Sequence, residues 1–310
     1  MILVTGGTGF IGQVLIRQLV ESGYNTRVLL RPSPASPRLP RGLPVEAAIS
    51  SLNDPRGIRA AMVDVETVVH LAGVEWRGVA ADLAAVDVQG TLVVLQVAAE
   101  VGVEHLIYVS HLGADRASAY PVLKAKGIAE EHIRRSGVPY TIFRSALLYG
   151  KGDGFTTSLA RMMHVLPFFL LPGGGDTLVQ PLWVEDLVTA MVWTLENKNR
   201  VNRTYEVGGM EFLSFRQVVE ILMNRLGIQR RLIPVSPMML RFITVIFENI
   251  FPNLPVSVYW LDYLAVNRTC ALDQLPKEFG LLPVRFTQGL DYLEDRHWRK
   301  GIFSLFKRRG

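Results

Sequence analysis

Near its beginning the chain carries the glycine-rich segment Thr5-Gly6-Gly7-Thr8-Gly9-Phe10-Ile11-Gly12, directly after the apolar run Ile2-Leu3-Val4. A glycine triplet between a predicted strand and a predicted helix is typical of dinucleotide-binding sites. Gly6 would permit the tight turn, Gly9 would let the backbone approach the pyrophosphate, and Gly12 would let the helix pack closely on the strand. The amides at the start of the helix would then face the phosphates. The segment therefore predicts a dinucleotide cofactor.

A regular alternation of strands and helices continues from this segment over the first 150 residues. Short β-branched runs predict strands at residues 2–4, 26–30, 45–48, 67–71, 105–109 and 140–144. Amphipathic stretches predict helices around residues 11–22, 55–62, 83–101 and 120–136. Strands that alternate with helices in this way favour a parallel sheet covered on both faces. We therefore predict an α/β fold with a Rossmann-type, doubly wound parallel sheet, which binds ligands at the carboxyl ends of its strands.

The pattern changes after residue 150, where helical stretches separated by Pro and Gly dominate. They predict helices at residues 155–164, 184–196, 215–226, 237–250 and 256–265, and short strands near 178–181, 204–207 and 231–233. We therefore predict a Rossmann domain over residues 1–150, with some interleaved cap segments, and a smaller, mostly helical C-terminal cap over 151–310. Two apolar stripes in the cap are most simply core, although they would also suit an apolar substrate pocket. Their members are Met238, Leu240 and Ile243, and Trp260, Tyr263 and Leu264.

The composition limits the classes of protein to consider. With 49% hydrophobic and 20% charged residues in 310, the chain can form a sizeable core. The one cysteine, Cys270, excludes a disulfide framework, and His132 and His164 have no partners at ligand spacing, so no metal site is predicted. No stretch of about 18 uncharged apolar residues occurs and no leader precedes the first strand, so we expect a cytoplasmic protein without a membrane span.

The C-terminal tail, residues 296–310, combines six of the basic residues with Trp298, Phe303 and Phe306. Basic and large apolar residues alternate in peripheral membrane anchors. A solvated tail whose aromatic rings dock on the body of the protein would have the same composition. Peripheral contact with the inner face of a membrane is therefore one expectation for this tail. Nucleic-acid binding is not predicted, because no base-reading module accompanies the charge, and the oligomeric state stays open.

A cation stands where the choice between NAD and NADP is usually made. Arg31 lies nineteen residues after Gly12, at the end of the second predicted strand. NAD sites usually carry an acidic residue there to bind the ribose hydroxyls, whereas an arginine can hold a 2′-phosphate through two hydrogen bonds. An ordinary surface arginine is the alternative interpretation. We predict NADP as the cofactor, with NAD as the less favoured alternative.

Several further motifs accompany the glycine-rich segment. They read Val69-His70-Leu71-Ala72-Gly73, Asp87-Val88-Gln89-Gly90-Thr91, Ile107-Tyr108-Val109-Ser110, Lys126-Gly127-Ile128-Ala129-Glu130, Arg144-Ser145-Ala146, Gln180-Pro181-Leu182-Trp183-Val184-Glu185-Asp186 and Thr204-Tyr205-Glu206-Val207-Gly208-Gly209. On these motifs, which span nearly the whole chain, the protein resembles the extended and atypical short-chain dehydrogenase/reductase superfamily, including its NAD-dependent epimerases and dehydratases. Within it, the chain is most similar to the branch of NmrA-like proteins and the nucleotide-binding accessory subunit of respiratory complex I.

The resemblance implies a set of cofactor contacts. The residues that would surround the pyrophosphate are those of the glycine-rich segment: Gly6, Thr8, Gly9, Phe10, Ile11 and Gly12. The residues that would border the adenosine and ribose are Leu71, Ala72 and Gly73. Ser110 would lie beside the nicotinamide, Lys126 would hold the nicotinamide ribose, and Ser145 would flank the nicotinamide amide. Asp186 would support the interface between the two domains.

Hydride-transfer members of the superfamily place a tyrosine four residues before the helix lysine. The lysine charge lowers the pKa of the phenol, which then passes a proton to or from the substrate. Here Lys124 lies four residues after Tyr120, but Lys126 lies four residues before Glu130, as the superfamily's lysine usually does. In that second register the tyrosine position is Val122. The sequence therefore leaves open whether Tyr120 is catalytic or packs at the start of the helix.

Other positions also depart from the superfamily pattern. Ser51 stands where relatives carry an aspartate facing the adenine, Asp87 replaces an asparagine that props the catalytic helix, and Ser145 replaces a proline. His111, at the edge of the predicted active site, is a further candidate for a substrate or proton role. His70 is expected to be a half-buried strand residue rather than a base.

Two functions follow from these observations. The first is an NADP-dependent oxidoreductase that acts on a small apolar substrate through Ser110, Tyr120 and the two lysines, with nucleotide-sugar epimerase or dehydratase activity as a lesser variant. The second is a non-catalytic NADP(H)-binding protein that senses the redox state or stabilises an assembly. Val122, Asp87 and the basic tail favour the second function.

Overall fold

A computed structural model describes residues 1–33, 39–40, 42–250 and 257–294 of the protein. Its strands are β1 (Ile2–Thr5), β2 (Thr26–Leu30), β3 (Glu46–Ile49), β4 (Thr67–His70), β5 (His105–His111), β6 (Tyr140–Ser145), β7 (Leu148–Tyr149), β8 (Phe168–Pro172), β9 (Leu178–Val179), β10 (Leu182–Trp183), β11 (Arg203–Val207), β12 (Leu213–Ser214) and β13 (Arg231–Val235). Its helices are α1 (Phe10–Glu21), α2 (Pro55–Ala61), α3 (Thr91–Val101), α4 (Pro121–Arg135), α5 (Thr156–Val165), α6 (Val184–Leu195), α7 (Phe215–Leu226), α8 (Pro237–Ile250), α9 (Val258–Tyr263) and α10 (Gln274–Phe279). A 3₁₀ turn at Glu75–Ala80 and a π-helical turn at Ala84–Gly90 lie between β4 and α3.

Seven parallel strands form one sheet in the order β11-β6-β5-β4-β1-β2-β3. Strand β1 pairs with β2 on one side and with β4 on the other, so the direction of winding reverses between β1 and β4. Ligands bind outside the carboxyl ends of the strands at such a switch point. Thr5, His70 and His111 end the strands β1, β4 and β5 at this edge of the sheet. The predicted Rossmann-type α/β fold is confirmed.

Helices cover both faces of the sheet. On one face α1, α6 and α10 pack in a core that includes Leu15, Leu19 and Leu187. On the other face α2, α3 and α4 pack around residues such as Ile58 and Ile133. These five side chains are almost completely buried, and burial of each stabilises the fold by about 1.5–3 kcal/mol. The apolar faces of the amphipathic helices therefore pack on the predicted sheet.

Part of the C-terminal half of the chain completes the sheet. Strand β11 pairs in parallel with β6, in a register that sets Tyr205 opposite Phe143. Helices α6 and α10 also return to the face that α1 covers. The boundary predicted at residue 150 therefore does not separate the sheet from the cap. Without β11, the edge of β6 would expose unpaired N–H and C=O groups.

A second core lies among α5, α7, α9 and the short parallel pair of β8 and β13. Tyr263 and Leu264 are buried in it, as the sequence predicts for one apolar stripe. The other stripe differs, because Met238 is 81% exposed, whereas Leu240 is buried and Ile243 is half-buried. The expectation that Met238 lies in the core is therefore wrong, since α8 packs against the protein through one face only.

One segment of the described chain, Ala84–Val101, is long and apolar enough to cross a membrane by length and composition. It comprises the π-helical turn and α3, and Val94 and Val97 of α3 lie in the core against the sheet. That packing accounts for its apolar composition. Among the described residues, no group of three or more His, Cys, Asp or Glu side chains is arranged to hold a metal ion. The tail 296–310 lies outside the described residues, so its membrane contact stays a prediction.

Candidate dinucleotide-binding site

The glycine-rich segment makes a tight turn between β1 and α1. Gly6 has a φ of +71°, in the left-handed region, and a Cβ there would lie 2.6 Å from the backbone of Leu71. A Cβ on Gly12 would lie 2.4 Å from the carbonyl oxygen of Gly6. A Cβ on Gly9 would meet only that same oxygen, at 3.2 Å. Gly6 and Gly12 therefore serve the turn and the packing of α1, while Gly9 leaves open space above the turn.

Gly7 is a structural requirement that the sequence analysis missed. A Cβ there would lie 2.5 Å from Cγ1 of Val28 and 2.8 Å from Cδ1 of Ile16. Any side chain at residue 7 would therefore separate the turn from β2 and α1. The sequence signal for this requirement was the pair of consecutive glycines, Gly6 and Gly7.

The N-terminus of α1 is open to a ligand. Gly9 is its N-cap, no side chain of the described residues caps it, and its first turn carries no acidic residue. Thr8 and Gly9 are exposed, and Phe10 and Ile11 are half-buried. An uncapped helix end presents unpaired amides and the positive end of the helix dipole, which suit a phosphate. The residues present therefore fit a dinucleotide pyrophosphate.

A chain of hydrogen bonds ties the switch point together through His70. The Thr91 hydroxyl donates to the carbonyl of Asp87 at 2.6 Å, so it accepts from Nε2 of His70 at 3.0 Å. The other ring nitrogen, Nδ1, then accepts from the Thr5 hydroxyl at 2.7 Å, and Thr5 accepts from the amide of Ala72 at 3.4 Å. Burial lowers the pKa of His70 to about 3, with help from Lys126. His70 is thus neutral and structural, and it is wholly buried instead of half-buried as predicted.

The segment after β4 packs directly on the glycine-rich turn. The amide of Leu71 donates to the carbonyl of Thr5 at 3.2 Å. A Cβ on Gly73 would lie 2.4 Å from Oε2 of Glu75 and 2.9 Å from Oδ1 of Asp87. The predicted adenosine and ribose segment 71–73 therefore lies beside the switch point, and Gly73 makes room for two carboxylates.

The two arginines of β2 have different environments. Arg27 pairs with Glu46 at 2.7 Å and donates to the carbonyls of Ala61 and Val63. Arg31 follows the last residue of β2 and is exposed at the carboxyl edge of the sheet. Of the two, Arg31 is the one placed to reach a ligand at that edge.

The structure distinguishes the two lysines of α4. Lys126 is only 4% exposed, and its Nζ lies 3.3 Å from Oδ1 of Asp87. Lys124 is exposed on the helix surface. Tyr120 is the N-cap of α4 and lines a cavity at the start of the helix. Val122 therefore occupies the helix position one turn before the buried lysine, as the second register of the sequence requires.

A second carboxylate, missed by the sequence analysis, completes a buried charged cluster. Oε1 of Glu75 lies 4.0 Å from Nζ of Lys126 and 3.7 Å from Nε2 of His111. Burial alone would raise the pKa of Glu75, but Lys126 and His111 hold it well below its usual range. Burial raises the pKa of Asp87, an effect that Lys126 opposes. An acidic residue two positions after Gly73 was the only signal for Glu75.

Lys126 and His111 respond in opposite directions to this cluster. Burial alone would lower the pKa of Lys126, but the carboxylates of Glu75 and Asp87 raise it well above its usual value. Burial lowers the pKa of His111, and Glu75 opposes that shift. The cluster thus contains a charged lysine, a charged glutamate and a histidine whose neutral form burial favours, an effect that Glu75 opposes.

Several polar atoms around this cluster have no hydrogen-bond partner among the described residues. They are Oε2 of Glu75, the hydroxyls of Tyr108 and Ser110, and both ring nitrogens of His111. Buried polar groups are almost always hydrogen-bonded, so such a group indicates a ligand or water that satisfies it. Their position at the ends of β4 and β5 fits the ribose and nicotinamide part of a dinucleotide.

The remaining predicted cofactor residue, Ser145, ends β6 and is buried. Its hydroxyl donates to the carbonyl of Ser110 at 3.3 Å. It therefore links the ends of β5 and β6, next to the cluster.

Two contacts fix the position of α4, and with it Lys126. The buried Glu130 accepts from Arg144 of β6 at 2.8 Å and from Arg134 at 2.6 Å. A Cβ on Gly127 would lie 2.3 Å from the backbone of Asp115, so α4 approaches that loop as closely as a helix can. Glu130 lies one turn after Lys126, and its ion pairs therefore orient the face of α4 that carries the lysine.

The motif around Asp186 links distant segments within the C-terminal half of the chain. Asp186 accepts from the backbone amide of Val284 at 2.8 Å, and burial raises its pKa to about 6. Gln180 similarly donates to the carbonyl of Gly209 at 2.7 Å and accepts from the amide of Cys270 at 2.8 Å. All of these residues lie beyond residue 150, so the expected role of Asp186 at the interface between the two domains stays a prediction.

Comparison with known proteins gives a family. The model of the NAD dependent epimerase/dehydratase family matches residues 2–208. The chain is 31% identical to NADH dehydrogenase (ubiquinone) 1 alpha subcomplex subunit 9, mitochondrial, of Arabidopsis thaliana, over 71% of this chain and 56% of that protein. It is 29% identical to ceramide reductase of Caulobacter vibrioides, over 62% of this chain and 60% of that protein. The chain thus spans little more than half the length of these relatives.

A solved structure supports the fold over nearly the whole chain. The UDP-glucose 4-epimerase of Thermus thermophilus, in complex with NAD, superposes with a TM-score of 0.72 at 22% identity. The alignment covers 97% of this chain and 99% of that one.

Proposed function

Since this chain belongs to the NAD-dependent epimerase/dehydratase family, we propose that it is an NADP(H)-dependent oxidoreductase in which His111 replaces the usual tyrosine. The observation that carries the proposal is the row formed by Lys126, Glu75 and His111 at the carboxyl edge of the sheet. It unites a fixed cation, a carboxylate and a titratable ring beside the hydroxyl of Ser110, for which the described residues provide no hydrogen-bond partner.

The cofactor is held by three parts of the chain in this proposal. The uncapped start of α1 binds the pyrophosphate, and the exposed Arg31 binds the 2′-phosphate that distinguishes NADP from NAD. Lys126 holds the hydroxyls of the nicotinamide ribose. Bound NADPH supplies a hydride.

Proton transfer falls to His111, since Val122 has no proton to give. Nε2 of His111 lies 3.7 Å from the carboxylate of Glu75, a separation that can shorten to a hydrogen bond in a complex. Glu75 orients the ring and stabilises its charged form, as a carboxylate does for a catalytic histidine. The protonated ring then donates to the oxygen of a carbonyl substrate.

The substrate is apolar in this proposal because the ring of His111 faces the rings of Tyr259 and Tyr263, at 6.2 and 6.4 Å between centroids. Both tyrosines come from α9, so the C-terminal half supplies the wall of the substrate site. The relative named ceramide reductase is a reductase of a lipid by its name, which supports this class of substrate.

One observation favours a second function, a non-catalytic NADP(H)-binding protein. Lys126 is engaged by Asp87 and Glu75 in the protein as it stands, and the tyrosine position holds Val122. A relative named as a subunit of an NADH dehydrogenase is part of an assembly by its name. Such a protein would bind NADP(H) without reducing any substrate.

Reduction of carbonyl compounds by NADPH separates the two functions. The wild type is tested against a panel of long-chain ketones and aldehydes, with His111→Gln and His132→Gln, at a half-buried histidine of α4, as matched variants. We expect the His111 variant to lose about 100-fold in kcat with unchanged NADPH affinity, a loss within the usual contribution of a general acid. Turnover of no compound, with tight NADPH binding, would favour the second function. Equal activity in the His111 and His132 variants would refute the role of His111.

A further inference from the structure

A cavity of about 310 Å³ lies between the turn after β5, the start of α4 and the loop after α9. Its volume is at the lower end of the range for small-molecule sites. The side chains that matter for its chemistry are Leu112, Leu123, Val266, Ser118, Tyr120 and Arg268. It therefore combines apolar walls with hydroxyl groups and one cation.

Arg268 contributes a positive charge to this cavity while being only 5% exposed. Its Nε donates to the carbonyl of Tyr263 and its Nη2 to the carbonyl of Asp262, each at 3.1 Å. Its guanidinium also stacks on the ring of Tyr263, 4.2 Å from the centroid. Within the described part of the chain, no carboxylate forms an ion pair with it.

The charge of this arginine is only partly compensated. The carbonyls of Asp262 and Tyr263 end α9, a position where a helix attracts cations. They engage two of the five N–H groups of the guanidinium. Glu206 also borders the cavity, but its carboxylate pairs with Arg144 at 3.5 Å. A buried cation without an anionic partner is costly, so an anion in the cavity would be bound strongly.

We infer that this cavity binds the oxyanion group, a carboxylate or a phosphate ester, of an apolar molecule. Arg268 pairs with the anion, the hydroxyls of Ser118 and Tyr120 donate to it, and Leu112 and Leu123 contact the apolar part. The site gives Tyr120 a binding role in place of the catalytic role considered from the sequence.

The cavity lies next to the proposed reaction site. Leu112 follows His111 directly, and Tyr263 contacts both the guanidinium of Arg268 and the ring of His111. On the proposed function, on which this step rests, the anion is therefore part of the substrate and anchors it beside His111. The substrate class is then an apolar carbonyl compound that carries one carboxylate or phosphate.

Calorimetric titration of the full chain with hexanoate, hexyl phosphate and hexan-1-ol tests the site. The three probes share an apolar chain, and the first two distinguish a carboxylate from a phosphate ester. We expect one of the anions to bind wild type at least about tenfold more tightly than the alcohol, as charge-assisted hydrogen bonds imply. Arg268→Gln should abolish that preference.

A matched control is Arg200→Gln. Arg200 also donates to two backbone carbonyls and stacks on an aromatic ring, Phe279, at 4.3 Å, but it does not line the cavity. Arg200→Gln should keep the preference for the anion. Val266→Phe, at a residue 40% exposed, fills the cavity without touching the arginine and should weaken binding of the anion.

NADPH affinity, measured in parallel, reports both folding and the proposed function. If wild type binds the anion but not NADPH, the cavity site stands and the proposed function fails. If Arg268→Gln binds NADPH normally and has lost the anion, the inference is supported. No preference for either anion in wild type, or the same preference in Arg268→Gln, would overturn it.

Discussion

Substitutions of Gly9 and Gly12, three residues apart, should both weaken cofactor binding but should differ in their effect on stability. A Cβ on Gly12 would lie 2.4 Å from the carbonyl oxygen of Gly6 and 2.6 Å from Cα of Gly7. A contact this short forces the backbone to move, so Gly12→Ala should destabilise the protein by about 1–3 kcal/mol, as overpacking does. The same movement distorts the turn and should weaken NADPH binding.

Gly9→Ser separates binding from stability. Gly9 is the N-cap of α1 with a φ of −79°, which any residue adopts, and a Cβ there meets only one atom, at 3.2 Å. Serine is preferred to glycine at an N-cap by a few tenths of a kcal/mol, so the unfolding free energy should hold or rise slightly. The new side chain, however, occupies the space of the phosphate and caps the amides that would bind it. NADPH affinity should fall about tenfold or more.

Fluorescence titration with NADPH and thermal unfolding, carried out on both variants and wild type, measure these effects. The expected pattern is loss of binding with intact stability in Gly9→Ser, and loss of both in Gly12→Ala. Wild-type affinity in Gly9→Ser would refute the reasoning, because the phosphate would then lie elsewhere.

Three further predictions concern other parts of the molecule. Lys126→Met should leave the buried carboxylate of Asp87 and the half-buried carboxylate of Glu75 without their cation, and so lower the unfolding free energy by about 3–5 kcal/mol. Lys124→Met, at an exposed lysine, should change it by less than about 0.5 kcal/mol in denaturant titrations. His70 has a pKa of about 3 in the folded protein, so between pH 6.5 and 3 only the unfolded chain takes up its proton. The unfolding free energy should therefore decrease as the pH is lowered from 6.5 to 3, by about 1.4 kcal/mol per pH unit from this residue. A less steep dependence is expected in His70→Gln. Peripheral membrane contact is tested by sedimentation with anionic vesicles at low salt. Both Phe242→Ser, on the exposed face of α8, and deletion of residues 296–310 should reduce sedimentation. Unchanged sedimentation of both variants would contradict the predicted peripheral contact.

The sheet could be predicted from the sequence because its signals are local. The glycine turn lies between an apolar run and an amphipathic stretch, and each later strand is a β-branched run next to a helical pattern. The return of β11 to the edge of β6 could not be predicted in this way. The sequence near residue 204 does not indicate the pairing partner of β11, because that partner is the free edge of β6, a strand about sixty residues earlier in the chain.

The candidate site, like the sheet, could be predicted from the sequence only where its signals are local. The two competing lysines differ by two positions in one helix, and the register of Glu130 indicated the buried one because i, i+4 residues share a face. Glu75 was missed because a single acidic residue in a loop carries no pattern. Its role is evident only in the folded protein, where the turn 75–80 brings its carboxylate to Lys126. Arg268 was missed for the same reason, since only the folded protein shows that no carboxylate of the described residues pairs with it.

The dissociation constants of NADPH and NADH, for wild type and Arg31→Ala, test the central claim most directly. The two cofactors differ by the 2′-phosphate that Arg31 is proposed to hold. We predict that wild type binds NADPH more tightly than NADH, and that the variant loses about 10- to 100-fold in NADPH affinity with little change for NADH, as removal of a charge-assisted pair implies. Arg27 of β2 pairs with Glu46 and with the carbonyl of Ala61, so Arg27→Ala should keep the wild-type preference for NADPH. Equal binding of NADPH by wild type and Arg31→Ala would contradict the choice of NADP, and binding of neither cofactor by wild type would contradict the account as a whole.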